Sequence, residues 1–129
     1  MNDTPEMTPL FVSSLQCRCV YPCGSRVTCD PPPEDTDEDW LALYRDYETM
    51  ADAVVRLVAD GFVQETHNYS GVQFFSMRKG DLNLLLTDDE DFYKRHRRAT
   101  ALCTRLNLSN KDDRVALFQT ILYDVEIQN

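Results

Sequence analysis

The chain has 129 residues, 43% of them apolar and 27% charged, the balance of one soluble globular domain. That excludes whole-chain disorder, collagen and a coiled coil. Twenty-two acidic against thirteen basic side chains give a net charge of −9, which argues against unspecific binding to duplex DNA, because that needs a basic footprint. No run approaches the roughly 20 apolar residues of a membrane helix. The start, Met-Asn-Asp-Thr-Pro-Glu, lacks the apolar core of a signal peptide, so a cytoplasmic protein with no membrane partner is expected.

In chain order, residues 1–7 read as a flexible tail and 8–125 as the domain. Thr8-Pro9 reads as a helix start, with Thr8 as the cap and Pro9 in the first turn, so a short helix is expected from Pro9 to Leu15. Cys17 to Tyr21 reads as a strand stopped by Pro22. Cys23 to Thr36, with Gly24, Ser25 and the run Pro31–Pro33, reads as a long loop. A strand is expected from Asp37 to Tyr44, and then a helix capped by Asp46. On that helix Met50, Ala53, Val54, Leu57 and Val58 fall at helical spacing, and Gly61 sits where a C-terminal cap belongs.

Phe62–Thr66 and Val72–Arg78 read as strands joined by a turn at Asn68–Gly71. Asp81–Thr87 reads as a third, closing a hairpin over Lys79-Gly80. Thr87-Asp88-Asp89-Glu90 has the form of a capping box. The helix after it places Phe92, His96, Ala99, Leu102, Cys103 and Leu106 on one face, with Lys94, Arg97, Arg98 and Arg105 mostly on the other. Ser109 or Asn110 is expected to cap a last helix that carries Val115, Phe118, Ile121 and Leu122 inward. The expected fold is α+β (or α/β): a mixed sheet of about five strands packed against helices, two of them C-terminal.

Five cysteines, an odd number, argue against a disulfide framework in a cytoplasmic chain. Cys17, Cys19, Cys23 and Cys29 do not have the paired knuckle spacing of structural zinc and read as small apolar residues. His67 falls in a polar turn, and His96 reads as a core-edge residue. Trp40 and Tyr44 share a strand face and read as core. Lys94, Arg95, Arg97, Arg98 and Arg105 read as a solvated helix face balanced by the acids at 88–91. The functional alternative is a clamp for a phosphate tail or an acidic partner.

The segment with the most chemistry is Gly24-Ser25, a spacer of 11 residues, then Asp37-Glu38-Asp39 running into Trp40-Leu41-Ala42-Leu43. Residues two apart on a strand share a face, so Asp37 and Asp39 point the same way, about 6–7 Å apart at the backbone. Two carboxylates so placed repel unless a cation sits between them. Mg2+ or Mn2+ fits, since such hard ions take one or two carboxylates together with phosphates. A Gly-Ser turn offers N–H groups and a hydroxyl to phosphate oxygens. The alternative is a solvated acidic turn, with Glu34, Asp35 and Glu38 nearby. An Asp-x-Asp leading straight into a buried strand favours the metal.

This pattern resembles the polymerase-β-like nucleotidyltransferases, whose signature is a Gly-Ser turn, a spacer and Asp-x-Asp on a strand. More narrowly, Tyr21–Arg26, Phe74–Gly80 and Lys111–Phe118 resemble small bacteriophage nucleotidyltransferase-like proteins. The resemblance implies nucleotide binding at Gly24, Ser25, Arg26 and Asn83, metal binding at Asp37 and Asp39, and catalysis by Asp37, Asp39 and Asp81. Asn83 stands where the superfamily has a third carboxylate. Asp81, two residues earlier on the same expected face, is the acid that would substitute. The implied activity is metal-dependent nucleotidyl transfer from a nucleoside triphosphate to a host protein or RNA. The alternative is a catalytically degenerate relative acting as a binding or inhibitor module against a host factor. A chain this short has little room for an acceptor-binding domain, so a partner or a homodimer is expected to supply that surface.

Overall fold

Leu82, Leu84 and Leu86 are fully buried, while Asn83 and Leu85 between them point to the other side. This period of two makes residues 82–87 a central strand with different surroundings on its two faces. The computed structural model describes residues 4–29, 37–65 and 74–123. The elements in chain order are α1 (Pro9–Ser14), β1 (Cys19–Cys23), α2 (Ser25–Thr28), β2 (Glu38–Leu43) and α3 (Tyr47–Ala59). They continue with β3 (Val63–Glu65), β4 (Phe75–Lys79), β5 (Leu82–Thr87), α4 (Glu90–Leu106) and α5 (Lys111–Tyr123).

The five strands form one sheet in the order β1-β2-β5-β4-β3. Only β2 and β5 run parallel; the other three pairs are antiparallel. On one face Ala42, Tyr44, Met77 and the three buried leucines of β5 meet Leu15 after α1 and Met50, Ala53 and Leu57 of α3. On the other, Cys23, Leu41 and Leu43 meet Phe92 and Tyr93 of α4. The result is an α+β domain with a mixed sheet between two helical layers, and α4 and α5 pair at the C-terminal end.

Local signals explain most boundaries. Thr8 Oγ1 accepts from the Phe11 amide and Asp46 Oδ1 from the Thr49 amide, so both expected caps form. Gly61, at φ +100°, follows α3 where a right-handed residue would continue the helix. Asn110 Oδ1 accepts from the Asp112 amide at the start of α5.

Four local readings change. Pro22 does not stop β1 but lies inside it, opposite Trp40. β1 is an edge strand, where a missing N–H need not break the ladder. Part of the expected loop after Cys23 is instead the single helical turn α2. The cap of α4 is Asp89, whose side chain accepts from the Phe92 amide. Thr87 is buried at the end of β5, where its carbonyl accepts from Tyr44 and its hydroxyl accepts from the Asp89 amide. Val115 stays 47% exposed rather than packing inward, because α5 rests on α4 in the outer layer and leaves a cleft beside it.

The described part of the expected tail, Thr4 to Met7, lies against the domain. Thr4 Oγ1 accepts from the Asp81 amide, and Met7 packs on the core. The Pro31–Pro33 run, His67 and the Asn68–Gly71 turn lie outside the described residues.

Candidate functional site

The antiparallel pairing of β1 with β2 sets Cys23 opposite Asp39, so the chain leaves β1 for the Gly24-Ser25 turn directly beside the Asp39 side chain. Gly24 has φ +79° and ψ −177° and caps α2; its carbonyl accepts from the Val27 and Thr28 amides. A β-carbon on Gly24 would lie 2.1 Å from Asp39 Oδ2. Glycine is therefore required twice, by the backbone angle and by the close approach of the carboxylate.

The parallel pairing of β2 with β5 puts Asn83 opposite Asp39. Asn83 Nδ2 donates to Asp39 Oδ1 at 3.1 Å, and Asn83 Oδ1 accepts from Ser76 Oγ at 2.8 Å. Ser76 Oγ is also 3.5 Å from Glu65 Oε1. Arg78 closes the row: Nε donates to Glu65 at 3.2 Å, and a second guanidinium nitrogen lies 3.1 Å from Asp37 Oδ2. Asp37, Asp39, Asn83, Ser76, Arg78 and Glu65 thus form one polar band across four strands, on the sheet face that carries α4.

Burial pushes the Asp39 carboxyl up to about 6, and the nearby Asp37 charge adds to this. The Asn83 hydrogen bond and the Arg78 and Arg26 charges pull the other way without cancelling it. Arg26 makes a loose ion pair with Glu38 at 3.6 Å.

Asp37 and Asp39 are the residues here that could hold a divalent ion. Asp39 is a partly buried carboxylate whose charged form is disfavoured, the condition that a bound cation relieves. Asn83 turns its amide nitrogen toward Asp39 and its oxygen toward Ser76, so it supports the carboxylate rather than offering an oxygen ligand. No cluster of three metal-ligating His, Cys, Asp or Glu side chains occurs among the described residues. An ion at Asp37 and Asp39 would therefore draw its other ligands from phosphate and water, which is how Mg2+ is commonly held.

Asp81 does not join this group. It sits in the turn before β5, where its carbonyl accepts from the Glu38 amide, and it lines a separate hollow with Glu6, Glu38 and Trp40. Sequence reasoning missed Glu65 and Ser76 and gave Arg78 no role. Alternation along residues 74–78 puts Ser76 and Arg78 on one face, but only the position of β4 between β5 and β3 shows what that face meets.

A cleft of about 350 Å³ opens beside Gly24 and Ser25, bounded by Phe74, Phe92, His96 and Phe118, with Lys111 and Arg114 on its α5 side. His96 is buried, and its Nδ1 is hydrogen-bonded to the Tyr21 hydroxyl. Burial holds its imidazole down at about 4, so it is neutral at physiological pH.

The fold has solved counterparts. The chain superposes on the conserved protein GrpB from Enterococcus faecalis with a TM-score of 0.54 and 14% identity, covering 96% of this chain and 97% of that one. A second match is terminal uridylyl transferase 4 from Trypanosoma brucei, solved with bound UTP and UpU, with a TM-score of 0.48 and 17% identity. It covers 73% of this chain and 35% of the transferase. No family model and no curated protein sequence matches the chain. The chain shares its fold with GrpB, a five-stranded mixed sheet packed against helices. Among the described residues no helix is long and apolar enough to cross a membrane.

Proposed function

We propose that this chain binds a nucleoside triphosphate with Mg2+ (or Mn2+) at the Gly24-Ser25 turn and the Asp37–Asp39 pair, and transfers a nucleotidyl group to a host protein or RNA. The observation that carries the reading is the Asp39 carboxylate lying against Gly24 Cα, with Asp37 beside it. A turn suited to phosphate and a carboxylate pair suited to a cation meet at one point. The α2 backbone and the Ser25 hydroxyl hold phosphate oxygens, and Arg26 adds positive charge at the same turn. The bound ion supplies neutralisation of the phosphates and polarisation of the reacting oxygens. The acceptor hydroxyl attacks the α-phosphate in line, pyrophosphate leaves, and the hydroxyl proton passes to a nearby carboxylate. The resemblance to bacteriophage proteins suggests that the acceptor belongs to an infected host.

A second reading is favoured by Asn83. With an amide at the third-carboxylate position and Asp81 in a separate hollow, the protein would keep the nucleotide fold as a binding or inhibitor module against a host factor. An amide cannot act as a base.

The test is incubation with Mg2+ or Mn2+, each α-labelled nucleoside triphosphate and host lysate, beside an Asp37→Asn/Asp39→Asn variant. Label moving to a macromolecule with the unaltered protein alone supports transfer. Nucleotide binding without transfer supports the second reading.

A further inference from the structure

The geometry points to the cleft between α2, α4 and α5 as the nucleobase pocket of this site, with His96 Nε2 as the atom that reads the base edge. This rests on the nucleotide reading above and extends it to a part of the ligand that neither Gly24-Ser25 nor the aspartates touch.

Three observations carry it. The cleft starts at Gly24 and Ser25, so a ligand with phosphates on that turn has its other end at the cleft mouth. Its walls are aromatic: Phe92 and Phe118 flank the His96 ring at 5.9 and 5.1 Å between centroids. Such walls, with polar groups of His96, Gln119 and Lys111 also in the lining, suit a flat heteroaromatic ring, and a volume of about 350 Å³ falls in the usual range for small-molecule sites. Finally, His96 is 8% exposed, and among the described residues its side chain bonds only to Tyr21, through Nδ1. No sealed side-chain nitrogen or oxygen among the described residues lacks a partner, so Nε2 opens to the cleft. An aliphatic ligand would leave it unsatisfied.

The Tyr21 hydroxyl holds Nδ1, and Nε2 meets the base edge as the donor or the acceptor that the ring tautomer leaves to it. Lys111 and Arg114 bring positive charge to the cleft of an otherwise acidic chain.

The experiment follows the His96 imidazole by 15N–1H NMR in a His67→Gln background, which leaves one histidine. The four nucleosides are added without metal, then tripolyphosphate and the four triphosphates with Mg2+. One nucleoside is expected to shift the Nε2 resonance, and its triphosphate to bind at least tenfold tighter than tripolyphosphate. Phe118→Ala is expected to lower that affinity toward the tripolyphosphate value. Folding of the variant is checked by the persistence of the Tyr21-bonded Nδ1 signal. Triphosphates that bind no better than tripolyphosphate, with His96 undisturbed, overturn the pocket and leave the phosphate site standing. Nucleosides that shift His96 while tripolyphosphate does not bind uphold the pocket and overturn the phosphate site. No response to any ligand overturns both.

Discussion

Asp39 and Gly24 occupy one another's space: the carboxylate rests where a side chain on residue 24 would be, 2.1 Å from the position of an added β-carbon. The register of β1 on β2 sets this contact, since Cys23 opposes Asp39. It joins the end of one strand to the start of another at the point where a polyphosphate would meet its cation.

Gly24→Ala is therefore expected to be severe. Backbone strain at φ +79° costs about 1–3 kcal/mol, and displacement of Asp39 adds to it. Urea denaturation should show a loss of about 3 kcal/mol, together with loss of nucleotide binding. A variant as stable as the parent would mean that Asp39 is not held against the turn.

Asp39 and His96 oppose each other in pH. The Asp39 carboxyl is raised to about 6 in the folded chain, mainly by burial, so its contribution is full below about 3.8 and is lost as pH rises through 6. The His96 imidazole is lowered to about 4 by burial, so stability is lost as pH falls from 6.5 through 4. The two slopes have opposite sign over much the same window. Asp39→Asn removes the first. It should be more stable than the parent by about 1–2 kcal/mol at pH 7.5, after discounting for solvent screening. Its stability should also fall more steeply below pH 6.5. Denaturation at several pH values checks both, and parallel profiles would contradict the account.

Asn83→Asp puts a third carboxylate against Asp39 in place of an N–H donor. Without metal, stability should fall by about 1–3 kcal/mol from the lost hydrogen bond and the added repulsion. Millimolar Mg2+ should restore more stability to this variant than it adds to the parent. Thermal melts with and without Mg2+ measure the difference.

Arg78 bridges Asp37 and Glu65, and its side chain is 30% exposed. Partly exposed pairs contribute little, so Arg78→Gln should cost no more than about 1 kcal/mol. It removes the guanidinium that competes for Asp37, so Mn2+ should bind severalfold more tightly in the absence of nucleotide. Titration followed by water relaxation reads this, and weaker binding would contradict it.

Strand alternation made much of this legible in the sequence. It put Asp37 and Asp39 on one face and Trp40 and Tyr44 on the other, and Trp40 and Tyr44 do join the cluster under α1 and α3. Caps at Thr8 and Asp46 were legible because each acts on an amide three residues on. Asp89 was not, because Thr87 is an equally good cap by type and only the β5 ladder withdraws it. The role of Glu65 depends on β3 lying next to β4, a pairing that no local pattern reveals. Burial of His96 and the cleft beside it depend on α5 resting on α4, a tertiary fact of the same kind.

The most direct measurement is calorimetric titration of the protein with nucleoside triphosphates, with and without Mg2+, beside the Asp37→Asn/Asp39→Asn variant. Binding is expected to need Mg2+ and to weaken at least tenfold in the variant, while the variant remains folded. Equal binding by both proteins, or none by the folded parent with any of the four triphosphates, would contradict it.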